Sequence, residues 1–260
     1  MKYTCYMDEN RNELEGSVIA ERADLLLLNP ESDAFIKPGK EMLVIGIGSA
    51  QTPTPEEYLP MCPSIFLLSA RNPITVLDLS DEDNSGGAHG ASAVLATVDR
   101  IYQEAGLNHL PINITYGDVR KFVSKTPFTY VFDHLTLDML FVGDGENYML
   151  KPGETRQQQN KRLVDAYAGL VKEHGKIFLF STSSPDREKV LEISSAFQGL
   201  GMEVKCYTIT DKYKLEDQLE SIVSSPKYSF PSIEAQSGGL YVPVYGAETM
   251  MVIQKPATSK

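Results

Sequence analysis

Gly46 and Gly48, three acids at Asp78, Asp118 and Asp133, and His134 carry the clearest chemical signal in the chain. Two glycines at the end of the apolar run Met42-Leu43-Val44-Ile45 let the backbone bend sharply and approach a ligand closely. Asp78 falls 30 residues beyond Gly48, where the next predicted strand ends, placed to accept hydrogen bonds from both hydroxyls of a ribose. It would serve equally as a helix cap or a solvated turn acid. Asp118 ends a third predicted strand, suited either to reading the amino group of a base or to capping the adjoining helix. Asp133 and His134 end a fourth. An imidazole there suits removal of a proton from a hydroxyl or amine, and a carboxylate suits holding an ammonium or orienting an acceptor. The alternative is that both cap the next turn. Side chains alternate along a regular strand, so only one of the two faces a crevice.

The segment after the glycines decides between nucleotides. A dinucleotide pyrophosphate rests on the amino terminus of the helix after the first strand. Here Thr54, Pro55 and Glu57 form a capping box, with Glu56 beside it. Gln51 stands where the third glycine of Gly-x-Gly-x-x-Gly belongs. Carboxylates in that turn repel phosphate but not a cationic ligand without phosphate. This favours S-adenosylmethionine, with its sulfonium and ammonium, over NAD.

The elements that must hold these residues can be read from apolar periodicity and turn signals. Residues 1–40 are predicted as an amino-terminal helical cap, with Gly16 to Leu28 helical and breaks at Asn29-Pro30 and Pro38-Gly39. Residues 41–260 are predicted as one domain, with residues 211–247 an insertion over the substrate edge. Its strands are expected at the apolar run before Gly46, Pro73 to Ser80, Asn113 to Asp118, Thr129 to Leu135, Lys176 to Thr182, Glu203 to Thr210 and Thr249 to Gln254. Helices are expected over about 55–70, kinked by Pro60 and Pro63, and over Ala91 to Ala105, Lys161 to Glu173, Pro185 to Gly199 and Tyr213 to Ser224. Strands alternating with helices imply an α/β fold with a doubly wound, mostly parallel sheet and helices on both faces. No crossover helix closely precedes the last strand, so it is expected to be antiparallel, at or near an edge.

With 260 residues, a formal charge of −11 and a pI near 4.9, the chain has the size of a single α/β domain and no electrostatic affinity for nucleic acid or an anionic membrane. Cys5, Cys62 and Cys206 form neither a disulfide framework nor a metal pattern and point to a reducing, cytoplasmic setting. The amino terminus has no signal-peptide core, and Leu25 to Leu28 is too short to span a bilayer.

The motif order resembles that of the class I S-adenosylmethionine-dependent methyltransferases. Val44 to Ala50 resembles their glycine motif, Val76-Leu77-Asp78-Leu79-Ser80 the strand whose acid holds the ribose, and Ile114 to Asp118 the adenine-side motif. Tyr130-Val131-Phe132-Asp133 resembles the strand beside the transfer site, Leu170 to Phe180 the succeeding helix, glycine turn and strand, and Thr249 to Pro256 the closing antiparallel strand. The resemblance implies a Rossmann-like methyltransferase fold. It implies cofactor contacts at Gly46, Gly48, Ser49, Asp78, Leu79, Asp118 and Val119, catalytic roles for Asp133 and His134, and no metal. Two departures stand out: Val44 occupies the place of an acid that often supports the methionine end of the cofactor, and Ala50 replaces a glycine. The implied activity is methyl transfer from S-adenosylmethionine to a small-molecule or protein acceptor. The alternatives are a non-catalytic nucleotide-binding or regulatory protein, which Val44 favours, and an NAD-dependent oxidoreductase, which Glu56, Glu57 and Gln51 disfavour. An acceptor is expected near residues 136–159 and 211–246, where Tyr213, Tyr228, Phe230, Tyr241 and Tyr245 either line a pocket or pack the loop down.

Overall fold

In the computed structural model, the residues described are 18–20, 26–27, 29–46, 50–51, 69, 71–79, 88–89, 91–104, 108–134, 136–143, 151–182, 187–209 and 247–257. They form β1 (Val18–Ala20), β2 (Met42–Ile45), β3 (Ala50–Gln51), β4 (Ile74–Asp78), β5 (Ala88–His89), α1 (Ala91–Glu104), β6 (Ile112–Tyr116), β7 (Phe128–His134), α2 (Thr136–Leu140), α3 (Arg156–Leu170), β8 (Val171–Thr182), α4 (Arg187–Gly199), β9 (Glu203–Ile209) and β10 (Ala247–Gln254).

Eight strands make one sheet in the order β1-β9-β10-β8-β7-β2-β4-β6. Leaving β1 aside, this is the doubly wound order of dinucleotide-binding folds with one strand, β10, wedged between the fifth and sixth. β10 is antiparallel to both neighbours, β8 and β9, whereas β2, β4, β6, β7 and β8 pair in parallel. The antiparallel last strand, expected at or near an edge, is therefore present and lies third from one edge, inside the sheet. The β4–α1–β6 crossover and the β7–α3–β8 crossover step in opposite directions along the sheet. Right-handed crossovers then place α1 and α3 on opposite faces, the predicted doubly wound arrangement.

The central strands read as unbroken apolar runs because both of their faces are covered. All four residues of β2 are buried. Leu43, Ile45, Leu77, Val131, Ile177 and Leu179 form one core cluster with Leu137, Leu163, Tyr167, Ile193 and Phe197 of α2, α3 and α4. The other face carries an aromatic stack, with Phe132 4.8 Å from Phe180 and Tyr130 6.0 Å from Phe178 between ring centroids.

Sequence and structure part in several places. Val18–Ala20, expected within a helix, is a strand that pairs in parallel with β9. Short β-branched residues beside an otherwise open edge gain ladder hydrogen bonds that outweigh a weak helical periodicity. Leu27, Ala34 and Ile36 of the expected cap are buried as well, and Tyr130 Oη accepts a hydrogen bond from the Lys37 amide at 3.0 Å. Helix α3 starts five residues earlier than expected, because Thr155 and Gln158 form a capping box. It also ends earlier, at Leu170, where Lys255 Nζ caps it through the carbonyls of Ala168 and Val171 at 2.8 and 3.1 Å. The chain enters β8 at once. Between Phe128↔Val171 and Tyr130↔Lys176 the pairing advances two residues on β7 and five on β8, and His174 at φ 60° with Gly175 takes up the excess.

Among the described residues no helix is long and apolar enough to cross a membrane, and no cluster of three or more His, Cys, Asp or Glu side chains is placed to hold a metal ion. The expected helices at 55–70 and Tyr213 to Ser224, and the aromatic loop 226–246, lie outside the described residues.

Candidate functional site

Parallel pairing brings the chemically interesting residues into one row at the carboxyl edge of the sheet. Ile45 pairs with Leu77 on one side and Asp133 on the other, and Asp78 pairs with Tyr116. Gly46, Asp78, Asp133 and the segment Gly117-Asp118 thus end four adjacent strands. In an open α/β sheet this is where ligands bind, at the point where crossovers diverge. β3 and β5 pair through Ala50↔His89 and Gln51↔Ala88, tying the stretch after β2 to the stretch after β4 above the same edge.

Gly46 has φ 68° and donates its amide to Leu77 O at 3.2 Å. Only glycine takes that conformation without strain, and the turn leaves the backbone uncovered by a Cβ. Asp78 is half-buried. Its Oδ1 accepts from the Leu79 amide at 2.7 Å, and its carbonyl accepts from Gly117 N at 2.8 Å, locking the ends of β4 and β6 together. Leu79 is 70% exposed, an apolar side chain held in the open beside the ribose-binding candidate.

Asp118 is less available. Arg120 grips its carboxylate in a bidentate pair, Nε to Oδ1 at 2.8 Å and Nη2 to Oδ2 at 2.6 Å, and the Arg120 amide adds a third bond at 2.9 Å. Hydrogen bonding to that guanidinium holds the carboxyl down at about 2. Asp118 is thus held as an anion whose two oxygens are both engaged by Arg120. Val119 is 3% exposed and belongs to the core cluster of Leu77 and Leu137. Its side chain faces the interior.

Asp133 points into the layer beneath the sheet and not into the crevice. It is 0% exposed. Its Oδ1 accepts from Leu137 N at 3.2 Å, and Oδ2 accepts the hydroxyl of Tyr167. Of the roles expected for it, capping the next turn is the one its contacts fulfil. Burial raises its titration to about 7, against the pull of the Tyr167 hydroxyl and the amides of Leu137 and Thr136. The Tyr167 phenol is itself held well above its ordinary range by burial and by the neighbouring carboxyl. His134 ends β7 in the backbone, and its side chain lies outside the described residues, as do Gly48, Ser49, Glu56 and Glu57.

Sequence reading missed Arg120 and the partners of Asp133. The available signal for the second was Tyr167 on the apolar face of α3, since a buried tyrosine hydroxyl needs a partner. It also missed that Gln159 and Asn160, both buried, hold the two ends of the α2–α3 connection. Gln159 accepts from Lys151 N at 3.3 Å, and Asn160 pairs with both backbone groups of Val142 at 2.9 and 2.8 Å.

No protein-family model matches the chain, and none of the curated proteins does. Solved structures resemble it at low identity. A candidate methyltransferase from Thermoplasma acidophilum is 12% identical, with 88% of this chain and 73% of that one aligned at a TM-score of 0.46. A methyltransferase from Pyrococcus furiosus is 14% identical, with 86% and 78% aligned at 0.44. The N-methyltransferase NodS from Bradyrhizobium japonicum, solved with S-adenosyl-L-homocysteine, is 9% identical, with 84% and 79% aligned at 0.43. The strand order, not these likenesses, assigns the fold: a Rossmann-like sheet of methyltransferase topology, with its antiparallel strand inside.

Proposed function

We propose that the protein is an S-adenosylmethionine-dependent methyltransferase. The observation that carries this reading is the row of strand ends: Gly46 in a glycine-only turn, Asp78 on the next strand and the anionic Asp118 on the one beyond, in a sheet with an inserted antiparallel strand. The group supplied by the bound cofactor is a methyl on a sulfonium, open to direct displacement by a nucleophile. The chain's own contribution is placement. Gly46 lets the backbone close on the ligand, Asp78 accepts from ribose hydroxyls, Leu79 offers an apolar surface to the base, and Asp118 fixes negative charge nearby. Holding acceptor and methyl in line converts a bimolecular reaction into one within a complex, and little covalent chemistry is asked of the protein. His134, at the end of β7, is the candidate base where the acceptor must lose a proton. The acceptor is a small molecule or a protein, and a cytoplasmic setting fits the three scattered cysteines.

Val44 favours a second reading. It occupies the place of a supporting acid and is 0% exposed, paired between Val76 and Phe132. A protein that binds the nucleoside without transferring methyl would tolerate that loss. Calorimetric titration with S-adenosylmethionine, its demethylated product and NAD, then a radiolabelled methyl-donor screen of acceptors, separates the readings. Binding with transfer supports the enzyme, binding without transfer the regulatory protein, and tight binding of NAD alone would overturn both. Within this reading Asp78→Ala removes charge-assisted bonds worth about 1.5–3 kcal/mol each. Affinity for S-adenosylmethionine should fall roughly tenfold or more while the far-ultraviolet spectrum is unchanged. An unaltered dissociation constant would remove Asp78 from the site.

A further inference from the structure

The corner at Asp133 joins three elements at the wall of the crevice. Asp133 lies level with Ile45, so it stands one residue before the Gly46 turn on the neighbouring strand. Through Oδ1 it holds the amide of Leu137 near the start of α2, and through Oδ2 the hydroxyl of Tyr167 on α3. The chain as it leaves β7 beside the glycine turn is therefore tied at both carboxyl oxygens to α2 and α3. Packing alone does not require this. A buried polar pair is often matched or surpassed in stability by apolar side chains of the same volume. We propose that Asp133 and Tyr167 are positioning residues for methyl transfer: their hydrogen-bonded pair fixes the β7–α2 corner against the crevice, and the charge on the buried carboxyl governs how well the site receives a cationic ligand. The proposal rests on the methyltransferase reading.

The groups around the carboxyl fix the direction of the effect. Its strand neighbours, Ile45 on β2 and Leu179 on β8, are apolar. α3 contributes the Tyr167 hydroxyl, which favours the anion, and α2 contributes Asp138, which disfavours it. The carboxyl titrates at about 7, so its charge is gained as the pH rises through that value. A sulfonium or ammonium held at the strand ends above it would be attracted only to the charged form.

The test is calorimetric titration of S-adenosylmethionine into the wild-type protein, Tyr167→Phe and Asp133→Asn at pH values below and above about 7. Wild-type affinity should rise several-fold across that range. Asp133→Asn cannot ionise and should lose the rise. Tyr167→Phe keeps the ring and the packing but loses the donor that favours the anion, so its rise should move to higher pH. Thermal midpoints establish that the variants are folded. If Asp133→Asn does not fold, the displaced profile of Tyr167→Phe decides alone. Affinity that is independent of pH in the wild type, or a profile unchanged in folded variants, would overturn the proposal. Failure of the wild type to bind at any pH would instead sink the methyltransferase reading on which it stands.

Discussion

Gly175→Ala should destabilise the protein by about 3 kcal/mol or more, the upper range of overpacking in a filled interior. A Cβ at this position would lie 2.6 Å from Thr129 O, 2.7 Å from Val171 Cγ2 and 2.9 Å from Lys172 O. Two of these three atoms are backbone and cannot rotate away. The residue sits in the β8 bulge between β7 and β10, where Gly175 O accepts from Lys255 N and the His174 amide donates to Lys255 O. Relief by backbone movement would therefore break pairing on both sides of β8. Gly199→Ala is the control: it adds the same methyl at the end of α4 with nothing within 4 Å, and should be neutral or stabilising by up to about 1 kcal/mol. Denaturant unfolding of both variants is the measurement. A Gly175→Ala midpoint within the error of the wild type would show that the bulge yields where the geometry says it cannot.

The second large effect is expected at Asn160. Its side chain is 8% exposed, and its amide satisfies both the N–H and the C=O of Val142, itself 0% exposed. Asn160→Ala leaves both backbone groups without this partner. An orphaned buried donor or acceptor costs about 1–3 kcal/mol, so the pair costs roughly 2–5 kcal/mol. Asn160→Asp keeps the acceptor, loses the donor and sets a carboxylate against the Val142 carbonyl, and should be no better than alanine. Hydrogen exchange at the Val142 amide reports the clamp directly. Protection there as strong in Asn160→Ala as in the wild type would show that another group takes over.

What the sequence revealed was mostly what depends on local pattern. The apolar run of β2 and the β-branched run of β4 each declare their elements, because burial of a strand on both faces leaves a continuous signature. Gly46 and Asp78 were readable for the same reason: each terminates such a run, and parallel pairing puts run ends together. What escaped depends on contacts across long separations. Asp133 and Tyr167 are 34 residues apart, and nothing at position 133 says which face of β7 the carboxylate takes. The bidentate hold of Arg120 on Asp118 is local, but a loop arginine two residues from an acid has many equally ordinary arrangements. β1 was missed because a three-residue strand draws its stability from the neighbour it pairs with, and that neighbour, β9, begins near residue 203.

The place of β10 in the sheet has a consequence for how the protein is made. Chains emerge from the ribosome in order, and β10 comes after every other strand of the sheet by at least the 37 residues that separate it from the end of β9. Yet it occupies an interior slot, hydrogen-bonded to β8 on one side and to β9 on the other. Until it arrives, β8 and β9 each present an open edge, and they must stay a strand's width apart without closing on one another. Exposed edges of this kind recruit other chains. Synthesis of β9 therefore begins a race between insertion of one eight-residue strand and pairing with a neighbouring nascent chain. A chain stalled or cleaved before Ala247 has already lost that race, whatever the quality of the half of the sheet that is complete.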